Sequence, residues 1–365
     1  SMANEQLKWE TTEQFDLGLD LGFFNDRIRL TTDIYRKNTY DLLLNADLPP
    51  TSGFSSTYMN IGRMRNDGIE FTLETENIKN KNFQWTSNFN IAFNLGTIEE
   101  LTRNQESMLN SVTFDTKYNS QYAYISMLGR PSGMMYGFLY DGTYKYDDFD
   151  VTEAGTYVLK SGIPNNTASR QVIQPGDPKY KDINGDGIIN DNDRTIIGRG
   201  QAIHTGGFSN TFTYKNFDLN IFFQWSYGND IYNANRMIFE NPANRKNTNM
   251  YASYVNRWTP ENPTSNMPRS DAQGSQQYSS LYVEDGSFLR LKSVSLGYTV
   301  PSDLLKRFGI KSAKFTLSAE NLFTITNYSG FDPEVSVRHS ALTPGFDYSA
   351  YPRSRSFSFG LNLSL

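Results

Sequence analysis

The sequence predicts an all-β protein, a transmembrane antiparallel β-barrel, and three features carry that expectation. Segments of about ten residues alternate apolar and polar side chains, as strands do when one face meets lipid and the other water. Short turns and long connections between those segments follow each other in strict alternation. Aromatic residues are abundant, with 23 Tyr and 25 Phe against 2 His, and membrane barrels place aromatic girdles at both interfaces.

The first strand is read over Glu13–Phe24, where Phe15, Leu17, Leu19, Leu21 and Phe23 oppose Asp16, Gly18, Asp20 and Gly22. An Asn25-Asp26 turn returns the chain through Ile28, Leu30, Thr32 and Ile34 as far as Leu44. A polar connection over Asn45–Asn66 contains Pro49-Pro50 and Gly53. Gly68–Asn77 then carries Ile69, Phe71, Leu73 and Thr75, and turns at Asn80–Asn82 into Phe83–Leu95. There Phe83, Trp85, Ser87, Phe89, Ile91, Phe93 and Leu95 share one face. A long irregular region, Gly96–Thr205, is expected to hold at least one extended segment near Met134–Lys145.

The next pair has the most regular alternation. Phe208, Phe212 and Tyr214 oppose Ser209, Thr211 and Thr213, and only Lys215-Asn216 separates this run from FDLNIFFQWSY at Phe217–Tyr227. Phe217, Leu219, Ile221, Phe223 and Trp225 are expected to face lipid, and Asp218, Asn220 and Gln224 the lumen. A soluble sandwich could use the same hairpin, but Trp and Tyr at the ends of a greasy face suit the headgroup level. A further long connection runs from Gly228 to about Asp285. Ser287–Val300 and Ala313–Thr326 form another pair, joined by Pro301–Lys311, which reads as a short helical turn. The last strand, Ser354–Leu365, stacks Phe357, Phe359, Leu361, Leu363 and Leu365 on one face and also reads as the recognition signal of an outer-membrane barrel. Roughly ten strands are expected, with every long connection on the outer side and the short turns on the periplasmic side.

Composition removes several classes of function. A net charge of −5 supplies no basic field for nucleic acid. The absence of cysteine excludes disulfides, thiolate metal sites and Cys nucleophiles. No stretch approaches the ~20 apolar residues of a membrane helix, and a mean hydropathy of −0.57 is compatible with a barrel whose lumen and loops are polar. Ser1–Glu10 lacks the basic start and apolar run of a secretory signal, so the chain is expected to begin inside something larger. His204 and His339 have no Ser or Asp motif beside them, and no catalytic signature appears, so an enzyme is not expected. The Tyr, Trp and Asn residues of the long connections invite a sugar-stacking role, yet interface anchoring and loop packing explain them equally well.

One constellation has sharp chemistry. Asp182, Asn184, Asp186, Gly187, Ile188, Asn190 and Asp193 follow the spacing of a calcium loop. Oxygens stand at positions 1, 3 and 5, Gly at 6, a backbone carbonyl at 7 and a carboxylate at 12. Hard Ca²⁺ takes six to eight oxygens, and the glycine permits the turn that gathers them. Asp193 stands where Glu is usual, and its shorter arm weakens the expected site. The alternative is an Asp/Asn/Gly-rich surface turn without an ion. If bound, Ca²⁺ would clip one external connection, since no helices flank the loop.

Five segments together resemble the C-terminal half of a SusC/RagA-type TonB-linked outer-membrane transporter. They are LKWETTEQFDLGLD (Leu7–Asp20), GDPKYKDINGDGIINDNDRTIIG (Gly176–Gly198), RWTPENPTSNMPR (Arg257–Arg269), YVEDGSFLRLKSVSLGYTVP (Tyr282–Pro301) and AENLFTITNYSGFDPEV (Ala319–Val335), in the family's order. The resemblance implies that residues 1–365 are the last roughly ten strands of a larger, 22-stranded type of barrel. It implies the outer membrane of a Gram-negative bacterium and import of large nutrients, oligosaccharides or peptides. The implied partners are a SusD-like lipoprotein lid, outer-membrane lipid, the remaining half of the same barrel, and TonB-ExbB-ExbD through an N-terminal part that this sequence lacks. The competing expectation is a calcium-dependent binding or scaffolding module. A dockerin-like module, however, pairs two such loops on helices, and only one is present here.

Overall fold

A computed structural model describes residues 7–364 except 48–55, 61, 102–104, 116–117, 119–120, 167–168, 242–247, 273–276 and 338–339. Its largest element is a nine-stranded antiparallel sheet in which every strand pairs with its nearest wall strands in sequence. We number these β1 (Thr11–Phe23), β2 (Ile28–Tyr40), β3 (Arg63–Lys79), β4 (Phe83–Glu100) and β5 (His204–Tyr214). They continue as β6 (Phe217–Tyr227), β7 (Phe288–Thr299), β8 (Ser312–Thr326) and β9 (Ser356–Ser364). Among the described residues the wall has nine strands, in keeping with the roughly ten expected. Because neighbours are antiparallel and consecutive, the turns β1–β2, β3–β4, β5–β6 and β7–β8 lie at one end and the long connections at the other.

The alternation read from the sequence becomes two continuous faces. Trp85, Phe212 and Leu219 share a row, as do Phe89, Phe208, Phe223 and Leu291. The rings interlock across strands, with Trp85 stacked on Phe212 at 5.6 Å and Phe89 on Trp225 at 5.4 Å. Polar side chains also stand in this face. Asn210 accepts hydrogen bonds from the Trp85 indole (2.9 Å) and the Ser87 hydroxyl (2.7 Å), so its oxygen is satisfied within the apolar face.

Burial is inverted relative to a soluble fold. Large apolar residues of the wall stay open, Phe357 and Phe359 at 71% each. The buried core lies instead among the long connections, where Tyr124, Met135, Tyr232, Met237, Tyr278 and Phe346 pack together. A sheet that leaves a broad aromatic face uncovered requires an apolar solvent on that side.

The connections are more ordered than the sequence suggests. Region 96–205 contributes a four-stranded sheet of Ser107–Ser111, Tyr122–Met127, Met134–Phe138 and Arg194–Arg199. The expected extended segment splits into Met134–Phe138 and Tyr140–Thr143. None of these joins the wall, because β4 pairs directly with β5. Asp230–Asn233 pairs with Val283–Asp285 and, in parallel, with Phe346–Asp347, which ties two further connections together.

Two boundaries also move. β3 begins at Arg63, inside the expected polar loop, and β4 runs on to Glu100. Ion pairs hold these polar ends: Asp67 takes Arg36 at 2.6 Å and Arg65 at 2.8 Å, and Glu99 takes Arg63 at 2.8 Å. Charge pairing across strands does the work that apolar alternation does lower down.

Candidate functional site

The polar face carries the charged chemistry. On β7, Arg290 is 3% exposed and donates through Nη2 to Asp332 (2.7 Å) and through Nη1 to Glu334 (2.5 Å). Its Nε donates to the Thr324 hydroxyl at 2.9 Å. Glu334 also lies 3.5 Å from Lys292 and accepts from the Gln224 amide at 3.5 Å. Gln224 therefore points to the polar side, as expected, and the β8–β9 connection folds over that side. Arg353 approaches both carboxylates, at 3.7 and 3.6 Å. A buried guanidinium is tolerable only when its donors are matched, and two carboxylates with a hydroxyl match them here. Sequence reasoning missed this cluster. Its one available signal was an arginine flanked by Leu289 and Leu291 within a strand.

Two cavities are built from polar side chains. One, of about 440 Å³, opens on the polar face near the short turns and is lined by Arg29, Glu74, Gln84 and Thr211. The other, of about 660 Å³, lies among the connections between Arg236, Glu240, Tyr251, Glu284 and Phe331. Arg236 donates to Glu240 at 3.0 Å and to Glu284 at 2.9 Å. Burial would raise the Glu284 carboxyl, but hydrogen bonds from Ser329 and the Arg236 charge hold it below its ordinary value. His204 stacks on Tyr227 and accepts the Trp225 indole N–H at 3.1 Å, so it belongs to the aromatic girdle; His339 lies outside the described residues.

The calcium-type loop forms a compact turn between Pro178–Tyr180 and Arg194–Arg199. Asp182 accepts from the N–H groups of Gly185 (2.7 Å) and Gly187 (2.8 Å). Asn184 accepts from Asp186 N–H at 2.9 Å, and Asp186 from Ile188 N–H at 2.8 Å. Asp193 is fully buried and accepts from Ile183 and Asn190 N–H, both at 2.8 Å. The Ile188 carbonyl accepts from the Asn190 amide at 3.2 Å. Gly185 and Gly187 take φ of 76° and 83°, the left-handed region that residues with a side chain rarely adopt. The six positions thus share one turn, with the carboxylates directed onto backbone N–H groups. Among the described residues no three His, Cys, Asp or Glu side chains form a ligand cluster.

The geometry defines a segment of membrane barrel wall with a layer of packed connections at one end. Comparison with known proteins is specific about its kind. Residues 1–166 match the family model of the TonB dependent receptor-like β-barrel. TonB-dependent receptor P3 of Formosa agariphila is 36% identical over 99% of this chain and 35% of its own length. TonB-dependent receptor SusC of Bacteroides thetaiotaomicron is 28% identical over 99% of this chain and 32% of its own. Among solved structures, that of the RagAB peptide transporter superposes with a TM-score of 0.75 at 26% identity, covering 100% of this chain and 36% of that one. Its open-open state gives 0.77 at 27% identity, covering 99% and 35%.

The chain is similar over 99% of its length to TonB-dependent receptors, and its fold is that of a segment of their outer-membrane β-barrel. Within that class its likeness extends along the whole chain to SusC and to the RagAB transporter. It spans 35% of the length of the first of these curated relatives.

Proposed function

We propose that this segment is wall and loop structure of a TonB-dependent importer of large nutrients, oligosaccharides or peptides, that works beneath a SusD-like surface lipoprotein. The continuous likeness to SusC and to the RagAB peptide transporter, over 99–100% of this chain, carries the reading. The two outermost strands, β1 and β9, have one wall neighbour each. Unpaired backbone is not tolerated in lipid, so the rest of the same barrel closes on them. The long connections then stand on the outer side and the short turns on the periplasmic side. Deleting the full gene should abolish growth on at least one class of oligosaccharide or peptide, and the gene should restore it only where TonB is present. Unchanged uptake of all such nutrients, or uptake that persists without TonB, counts against the reading.

We also propose that the loop at 182–193 takes Ca²⁺, within the external region 96–205. The supporting observation is the frame itself: positions 1, 3 and 5 each accept N–H bonds from within the loop and keep further carboxylate or amide oxygen capacity. Asp182, Asn184, Asp186, Asp193 and the Ile188 carbonyl would bind, with Asn190 at the shell. Affinity should be weak, at about 10⁻⁴–10⁻³ M as in extracellular modules. In the full-length receptor, millimolar Ca²⁺ should slow tryptic cleavage at Lys181 and Arg194 relative to chelator, and Asp182→Ala with Asp186→Ala should erase the difference. Equal cleavage of the unaltered protein in both conditions would refute the site.

A further inference from the structure

On the outward face, charge interrupts the greasy band between β2 and β3. Phe15, Arg36, Asp67 and Leu95 are direct cross-strand partners on β1, β2, β3 and β4. One row nearer the short turns stand Leu17, Ile34, Ile69 and Phe93. An ion pair therefore lies in a row whose two ends are apolar, directly above a wholly apolar row. Arg36 keeps 58% of its side chain exposed although Asp67, its partner, is the smaller residue.

A cavity of about 950 Å³ sits on this face. Ile34, Ile69 and Phe93 form its floor, and Arg36 and Asp67 stand at one end. The chain running from the Arg194–Arg199 strand into β5 supplies Arg199 and Ile203 to the same wall. Arg36 spends only Nε on Asp67, and Arg199 only Nε, on the Gln201 carbonyl. Among the described residues no partner meets either Nη of these two arginines. Asp67 is shared with Arg65, so the lining residues carry one net positive charge.

We infer that this cavity binds a membrane lipid with a phosphorylated headgroup, from the leaflet beside the long connections. The apolar floor continues the lipid-facing band, so an acyl chain can lie on it without leaving the hydrocarbon. Guanidinium forks with open Nη groups match phosphate oxygens, and at the edge of the hydrocarbon such bonds are stronger than in bulk water. Basic pockets at the membrane edge recognise anionic headgroups by the same chemistry. The inference rests on the outward orientation of the aromatic face and is independent of the nutrient imported.

The test uses the full-length receptor in detergent, titrated with bis-phosphorylated lipid A and followed by native mass spectrometry. Its dephosphorylated form and inorganic phosphate are the comparison probes. Saturable binding of the phosphorylated lipid is expected, weakened about tenfold or more by Arg36→Gln with Arg199→Gln, because two charge-assisted bonds are lost. Asp67 keeps Arg65 in that variant, so the wall stays folded, which heat-modifiable gel migration checks. Ile34→Trp, which fills the floor, should weaken lipid binding as well. Arg29→Gln, on the polar face, should leave it unchanged. Equal affinity of the double variant, equal binding of the dephosphorylated lipid, or equal binding of inorganic phosphate would overturn the inference. So would a receptor dimer that the double variant dissolves, since the face would then be occupied by a second copy.

Discussion

Phe223→Arg should prevent the barrel from assembling, whereas Asn220→Arg, three positions away on the opposite face, should be tolerated. Phe223 stands in the aromatic row with Phe208 and Leu291, near the middle of β6. A guanidinium there must either enter hydrocarbon or drag water to it, at roughly 2–4 kcal/mol near the midplane. It also removes a ring from a packed face. Asn220 lies among Ser209 and Thr211, to which its amide donates at 3.3 and 2.9 Å. A longer polar side chain reaches water from that face, and surface changes of this kind fall within about 0.5 kcal/mol. The readout is the fraction of full-length receptor that shows heat-modifiable migration in outer membranes. Equal assembly of the two variants would mean that the faces are misassigned.

Arg290→Met should release the β8–β9 connection. Removing one partner from a buried ion cluster leaves carboxylates without compensation, which costs about 3–5 kcal/mol. Of cationic partners, Asp332 and Glu334 would keep only Arg353 and Lys292, at 3.5–3.7 Å, in place of bonds of 2.7 and 2.5 Å. Cleavage between Thr326 and Ser356 by added protease should accelerate at least tenfold, while the wall remains intact. Adding Asp332→Asn and Glu334→Gln should recover part of the loss, because the uncompensated charge is then gone. Unaltered cleavage of the single variant would show that the connection is held by something else.

Legibility in the sequence followed the range of the forces. The β5–β6 hairpin was bounded almost to the residue, since alternation and a two-residue turn are local signals. The ends of β3 and β4 were missed because Arg63, Arg65 and Glu99 earn their strand by pairing across the sheet. The packed layer of connections looks irregular in the sequence for a related reason. Tyr124, Tyr232 and Phe346 meet in one core although long stretches of chain separate them. The calcium-type loop was legible because its residues lie within twelve positions. Arg290 and its carboxylates were not, because they come from different elements.

The orientation of the wall is tested most directly by single cysteines along β6, in a chain that has none of its own. Cysteine is placed in turn at Asp218, Leu219, Asn220, Ile221, Phe223 and Gln224 of the full-length receptor in outer-membrane vesicles. Each is treated with a membrane-impermeant maleimide or with a lipid-soluble one. Positions 218, 220 and 224 should react with the water-borne reagent, and 219, 221 and 223 only with the lipid-borne one. The reverse pattern, or labelling without alternation, would contradict a barrel wall that turns its aromatic face to lipid.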